Sequence, residues 1–334
     1  MKGRGKKNEG RFCLLPFLKV DNSPCDGRLN GVYDPGALNV EFDLLVYPMD
    51  SNMGAASVIV EGVPLADLIQ NKQYANSTPF EGLIFQIKGG MGKGLGLVNP
   101  KQAGVLYRGV IFQSFGNWEG TEMNLAFVIT PSPFTTANPG NFVFLWKSGT
   151  PILQAIETTL QTAFPNVPIA SNLSQNLVFG YDEIHFCSTL GGFGAHIKVL
   201  TQGKAGTNYP GISIGVSKGV ILIYDYAPSS SIYTQLVMTD FIGQPTWIGV
   251  DVMQATMVLR GDIGLNSVVK MPSEFQSLPG IVNIQSASYA STQKYQTTFK
   301  GLFQIISLRH IGNFRSSSGR EWATILNMVP YSAG

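Results

Sequence analysis

The sequence predicts a mainly β protein with an α+β insertion, built from two similar antiparallel β-barrel modules. Three observations carry that expectation. One pattern of residues occurs twice, nearly two hundred positions apart. Short apolar runs are punctuated throughout by glycine and proline, and one internal block switches to helical spacing.

The first copy of the pattern runs Tyr107-Arg108-Gly109-Val110-Ile111-Phe112-Gln113, then Gly116-Asn117-Trp118, and ends at Ile129-Thr130-Pro131. The second runs Phe299-Lys300-Gly301-Leu302-Phe303-Gln304, then Gly312-Asn313-Phe314, and ends at Met328-Val329-Pro330. Each reads aromatic, base, glycine, apolar strand, a Gly-Asn-aromatic step and a second strand closed by proline. Self-similarity in fixed order indicates one supersecondary unit used twice. The match extends upstream, where Phe85-Gln86-Ile87-Lys88-Gly89 leads to Leu97-Val98-Asn99-Pro100, and Met257-Val258-Leu259-Arg260-Gly261 leads to Val269-Lys270-Met271-Pro272.

Four parts follow from composition and punctuation: a basic flexible arm at 1–11, a first β-barrel module at 12–139, an α+β middle domain at 140–236, and a second β-barrel module at 237–334. In the first module, strands are predicted over Val40–Tyr47, Ser57–Val63, Phe80–Ile87, Val105–Ser114 and Met123–Ile129, with a short helical turn at Pro64–Ile69. The middle part opens with a strand at Phe142–Trp146. A helix follows, with Thr150 as N-cap and Pro151 at its first position, where a missing N–H costs nothing. A glycine-weakened helix near Ser188–Leu200 buries Leu190, Phe193 and Ile197, and Ile212–Val216 with Val220–Tyr224 make a hairpin. Ala137–Gly140 and Ala227–Ser231 read as boundaries, and Gln285–Thr298 as a long loop inside the second module.

Charged residues make up only 13% of the 334, about half the usual share, while hydrophobic residues reach 44%. Such a surface suits a component of an assembly. The net charge of +2 conceals an uneven distribution. Residues 1–11 hold five bases against one acid, a net +4, which leaves −2 for the remainder. That arm reads either as a solvated tail or as a contact for nucleic acid or an acidic neighbour. The apolar run Phe12–Leu18 is short, contains Pro16 and lacks a cleavage site, so export is not expected. No run reaches the ~18 apolar residues of a membrane span. Cys13, Cys25 and Cys187 lack metal-ligand spacing and read as reduced thiols.

Catalytic chemistry finds little support. Gly89-Gly90-Met91-Gly92-Lys93-Gly94 resembles a phosphate-cradling loop, but Ile87 and Gly94 stand where the Walker pattern needs glycine and Ser/Thr, and no helix follows. His185 and His196 are eleven residues apart, so one helix cannot align them, and His310 is remote. His185 and Cys187 are better explained by shared strand facing than by a nucleophilic dyad. Asp182, Glu183, Asp240, Asp251 and Asp262 offer no reason to pair as the acid and base of glycan cleavage. The protein is read as not an enzyme, with no cofactor and no metal.

Gly89–Gly94, Gly109–Trp118, Asp240-Phe241-Ile242-Gly243-Gln244-Pro245-Thr246-Trp247 and Ser307-Leu308-Arg309-His310-Ile311-Gly312-Asn313-Phe314 together resemble a baseplate hub protein of contractile-tailed bacteriophages. That family is related to late control protein D and to the hub part of type VI secretion spikes. The resemblance covers about residues 35–330. It implies tail-tube-like barrels, two per subunit, and a homotrimer that presents six barrels. Such a ring adapts the sixfold tail tube to the threefold central spike and lines the conduit for DNA and tape-measure protein. Its partners are then itself, the tail tube or a tube-initiator protein, the spike and neighbouring baseplate proteins, in a virion tail assembled in the host cytoplasm.

On that reading, Trp118, Trp247 and Phe314 are candidate subunit-interface anchors, each equally readable as core. Lys88, Lys93, Arg108 and Arg260 are candidate lumen-facing bases, or else solvated turn residues. Two other classes stay open: a tail-tip cell-wall hydrolase, which a peptidoglycan zymogram detects, and a carbohydrate-binding adsorption module, which glycan binding by a stable monomer detects.

Overall fold

The computed structural model describes residues 18–19, 39–49, 56–63, 82–90, 99–131, 141–225, 232–249, 251–273, 281–282, 299, 301–313, 316, 318 and 321–331. The helical turn expected at Pro64–Ile69, both boundary segments and the loop at Gln285–Thr298 lie outside them, as do Cys13 and Cys25. The expected fold class is observed: mostly strand, with two helices among the described residues, both in the middle of the chain.

The first set of strands comprises β1 (Leu18–Lys19), β2 (Asn39–Val46), β3 (Ala56–Glu61), β4 (Ile84–Gly89), β5 (Gly104–Glu119) and β6 (Glu122–Thr130). The middle of the chain forms β7 (Phe142–Trp146), α1 (Ile152–Ala163), β8 (Ile169–Asn172), β9 (Glu183–Cys187), α2 (Leu190–Thr201), β10 (Ser213–Ser217) and β11 (Val220–Tyr224). A second large set follows: β12 (Thr234–Gln235), β13 (Thr246–Trp247), β14 (Met253–Val258), β15 (Val268–Lys270), β16 (Ile281–Val282), β17 (Leu302–Asn313) and β18 (Trp322–Tyr331).

The first and last sets repeat one order. In the first, hydrogen-bonded neighbours run β4-β5-β6-β3-β2; in the second they run β15-β17-β18-β14-β13. With the two-residue strands β1, β12 and β16 set aside, five strands remain in each set, and numbered along the chain both orders read third, fourth, fifth, second, first. The fourth strand of each also carries a bulge at the same place. Ile111, opposite Ile129, precedes the bulge in β5, and Ile305, opposite Met328, precedes it in β17. Ile129 and Met328 each lie two residues before the closing proline, Pro131 or Pro330. Counted from those prolines the two hairpins superimpose, and Gly301 then falls two residues before the place of Gly109 and Gly312 two residues after that of Gly116. A shift by an even number preserves which side chains face inward, so the core pattern survives it.

The upstream match does not correspond to equivalent strands. Phe85–Gly89 belongs to β4, the third strand of its set, whereas Met257 and Val258 end β14, a second strand. Glycine-terminated apolar strands share composition whatever their place in a sheet, which is why the two segments look alike.

Pairing of β2 with the C-terminal half of β17, from Val46↔Leu308 to Glu41↔Asn313 and beyond the stretch that β15 covers, joins the two sets into one continuous sheet. A single apolar core serves both, including Phe42, Phe85, Phe127, Trp247, Phe303 and Leu326. β2 and β3 bury alternate residues as half-buried strands should. A second core lies under the middle segment, where α1 and α2 cover Phe142, Phe144 and Trp146 of β7.

Local chemistry accounts for both helices. At α1 the expected cap shifts by one residue. Pro151 itself stands at the N-cap with extended backbone, and the Thr150 hydroxyl donates to the Lys147 carbonyl at 2.6 Å instead of capping. Pro151 bridges Val178, and the Ile152 N–H finds the Leu177 carbonyl at 2.9 Å, so a backbone partner replaces the side-chain cap. At α2 the Thr189 hydroxyl accepts from the Gly192 N–H at 3.0 Å, which anchors a helix that its glycines weaken. The β10–β11 hairpin turns through Lys218 and Gly219, both at positive φ (55° and 81°). Two consecutive left-handed residues give the turn whose twist matches the strands it joins. Among the described residues no helix is long and apolar enough to cross a membrane.

Candidate functional site

The most concentrated polar chemistry among the described residues lies where the two strand sets meet. Three turns converge there: the 3-10 turn Pro100–Gln102 before β5, the exit of β14 at Leu259–Asp262, and the 3-10 turn Met238–Asp240. The Gly261 N–H donates to the Gln102 carbonyl at 2.8 Å, and Gly104 faces Gly261 directly. A methyl group added at Gly261 would stand 2.7 Å from the Gly104 carbonyl carbon, so this backbone approach requires glycine.

Arg260 is the centre of the seam. Its Nε and Nη2 donate to the two oxygens of Asp262 at 2.8 and 2.7 Å, a bidentate fork, and its Nη1 donates to Asp240 Oδ2 at 3.1 Å. Asp240 also accepts from the Gln102 side chain at 2.6 Å and from the Val237 N–H at 3.1 Å. Lys218, at the tip of the β10–β11 turn, donates to the Gly261 carbonyl at 2.6 Å. Burial alone would lower the Arg260 pKa; the hydrogen bonds and attraction of Asp262 and Asp240 outweigh it and hold the value above normal. Burial lowers the Lys218 pKa, with Asp262 opposing. Two cations and two carboxylates thus balance.

Beneath them, the Arg260 N–H donates to the Thr324 hydroxyl at 3.1 Å, and that hydroxyl lies 2.9 Å from His310 Nδ1. His310 is fully buried, and burial together with Lys218 pushes its pKa down to about 3. The seam therefore joins the first strand set through Gln102, the middle segment through Lys218 and the second set through Asp240, Arg260 and Thr324. Its charges neutralise one another, and the network ties the three parts of the chain together.

The expected site residues fall into distinct settings. Arg260 is buried and ion-paired, so it presents no charge to a lumen. The half-buried Arg108 packs its stem against the Gly219 turn. Lys88 is exposed, and Lys93 lies outside the described residues. Trp247 is 2% exposed and stacks on Phe299 and against Phe303 at centroid distances of 6.2 and 6.1 Å, which makes it a core side chain rather than a surface anchor. Trp118 is 57% exposed at the tip of the β5–β6 hairpin, its indole N–H donating to the Gly120 carbonyl at 2.9 Å. Phe314 lies outside the described residues.

One pairing was not legible from spacing. His185 on β9 and His196 on α2 stack face to face with ring centroids 3.6 Å apart, and His196 Nε2 is 3.8 Å from Glu183. Burial, then His185, lowers the His196 pKa. Cys187 shares the β9 face with His185, as its i+2 spacing suggested, but burial raises its thiol pKa, the opposite of nucleophile activation. Among the described residues no group of three His, Cys, Asp or Glu side chains is placed to hold a metal. Asp240 and Asp262 were visible as candidate acids; their common partner Arg260 was not, apart from the i, i+2 spacing that permits the fork.

No family model matches the chain, and no curated protein matches it in sequence. Solved structures do resemble it. The 43 kDa tail protein of prophage MuSo2 from Shewanella oneidensis aligns with a TM-score of 0.50 and 8% identity, over 94% of this chain and 95% of that one. The c3393 protein of E. coli, described as a type VI secretion component with structural similarity to T4 bacteriophage tail proteins gp27 and gp5, aligns at 0.47 and 10%, over 88% and 73%. A tail protein from Neisseria meningitidis MC58 aligns at 0.44 and 9%, over 87% and 91%. The Shewanella likeness, nearly end to end in both chains, shows that this chain has the fold of a prophage tail protein.

Proposed function

We propose that this protein is a structural hub of a contractile phage tail, three copies of which form a ring. One observation carries the reading: a single chain contains the same five-stranded unit twice, in the same order, joined where β2 pairs with the part of β17 that extends beyond β15. Three such chains offer six near-equivalent units, so one ring can meet a sixfold tube on one side and a threefold spike on the other. The fold shared with a prophage tail protein supports the setting. A rigid junction serves this role, and the charge-balanced seam at Arg260 supplies one between the two units. The ring's bore is the passage for DNA and tape-measure protein. Of the four bases first considered for its wall, Lys88 is the described one with an exposed side chain. Trp118, projecting from a hairpin tip, is a candidate anchor for a neighbouring subunit or tail protein.

Electron microscopy of the purified full chain tests the proposal. The expected particle has threefold symmetry with six similar lobes around an axial opening. A particle without a threefold axis at any concentration overturns it.

A further inference from the structure

The two-stranded β7–β9 sheet has unlike faces. Inward, Phe142, Phe144 and Trp146 pack under the helices. Outward, Val143 stands opposite Phe186 and Leu145 opposite Ile184, four apolar side chains in two cross-strand pairs. All four are exposed, Phe186 at 71% and Ile184 at 60%. At the strand ends the exposed residues Asn141, Lys147, Ser148, Asp182 and Ser188 are polar, with the exposed aromatic Tyr181 next to Asp182. An uncharged apolar centre between polar ends is part of the anatomy of a protein interface.

We propose that this face is a two-fold contact between copies of this chain, each Phe186 seated over Val143 of the other. Two features favour a second copy over a foreign partner. The flanking charges, Lys147 after β7 and Asp182 before β9, have opposite signs, so a two-fold copy meets complementary charge and no like-charged row. The face is also stepped, with small Val143 directly opposite large Phe186, so one patch supplies both the knob and the hollow that an isologous contact needs. The centre is small against the ~800 Å² per partner of a standard interface, so the contact is weak and concentration-dependent. It stands apart from the threefold reading, and joined to it this contact pairs two rings.

Sedimentation of the full chain over a concentration series decides the matter, with the double variant Phe186→Ser/Ile184→Thr beside wild type. The expected result is a wild-type particle twice the mass of the variant at the highest soluble concentration. Leu145→Gln, on the other strand, should act likewise, while Val199→Ser, an exposed site on α2, should leave the mass unchanged. A hexamer reduced to a trimer supports both this contact and the ring. A dimer reduced to a monomer supports this contact and overturns the ring. Equal masses in wild type and both face variants, or a trimer reduced to monomers, overturn the two-fold contact.

Discussion

Arg260 and Asp240 form an ion pair at 3.1 Å with side chains only 2% and 6% exposed, buried where the two strand sets meet. Removing one partner leaves the other charge in the interior, so Asp240→Ala should destabilise the chain by about 3–5 kcal/mol. The exposed pair of Arg309 with Asp43 is the internal comparison. Solvent screens it, and Asp43→Ala should cost no more than about 1 kcal/mol. Urea midpoints of both variants check the contrast, and equal shifts would refute the weight given to the seam.

His310 gives the fold a pH dependence of known sign. The unfolded chain protonates this group near 6.5, whereas the folded chain keeps it neutral until about pH 3. Between those values the unfolded state binds more protons, so this contribution is fully present above pH 6.5 and is lost as pH falls toward 3. Its slope approaches about 1.4 kcal/mol per pH unit. His310→Gln should flatten the difference in unfolding free energy between pH 6.5 and pH 4.5. Parallel profiles for variant and wild type count against a buried neutral imidazole.

Much of this was legible in the sequence, and the failures share a cause. Strand alternation and helix spacing are local, so β2, β3, β7, α1, α2 and the β10–β11 hairpin fell close to where periodicity put them. The repeat was visible because its hairpins carry the same glycines and closing prolines. What escaped needed partners distant along the chain. Arg260 was readable as a lumen-facing base or a solvated turn residue because nothing near it announces Asp240 or Gln102, and Trp247 stayed open between anchor and core because Phe299 and Phe303 lie over fifty residues away. His185 and His196 failed the one-helix test and still meet, since a strand and a helix hold them.

The two tryptophans should separate stability from assembly. Trp247→Ala empties a core site and should cost about 3–5 kcal/mol. Trp118→Ala alters an exposed hairpin tip and should change stability by no more than about 0.5 kcal/mol, while weakening particle formation. Denaturation and sedimentation on the same samples read both effects. A Trp118→Ala protein with wild-type assembly removes that residue from the interface.

The bulge in β5 makes a prediction that an ordinary strand cannot. Before it, Tyr107, Gly109 and Ile111 face inward; after it, Ser114 and Gly116 do, so Phe112 and Gln113 both point outward. Phe112 is thus the residue by which β5 exceeds a regular ladder with β6. Deleting it leaves Ile111 opposite Ile129 and Gln113 opposite Val128 with unbroken alternation, and the chain should still fold. Deleting Val58 from β3, which has no bulge, instead inverts half the strand and turns Glu61 toward the apolar core in place of Val60. Circular dichroism and urea melts of the two deletions should show a cooperative transition for the first and none for the second. If both lose cooperativity, the bulge is a required bend in the strand and not a spare residue.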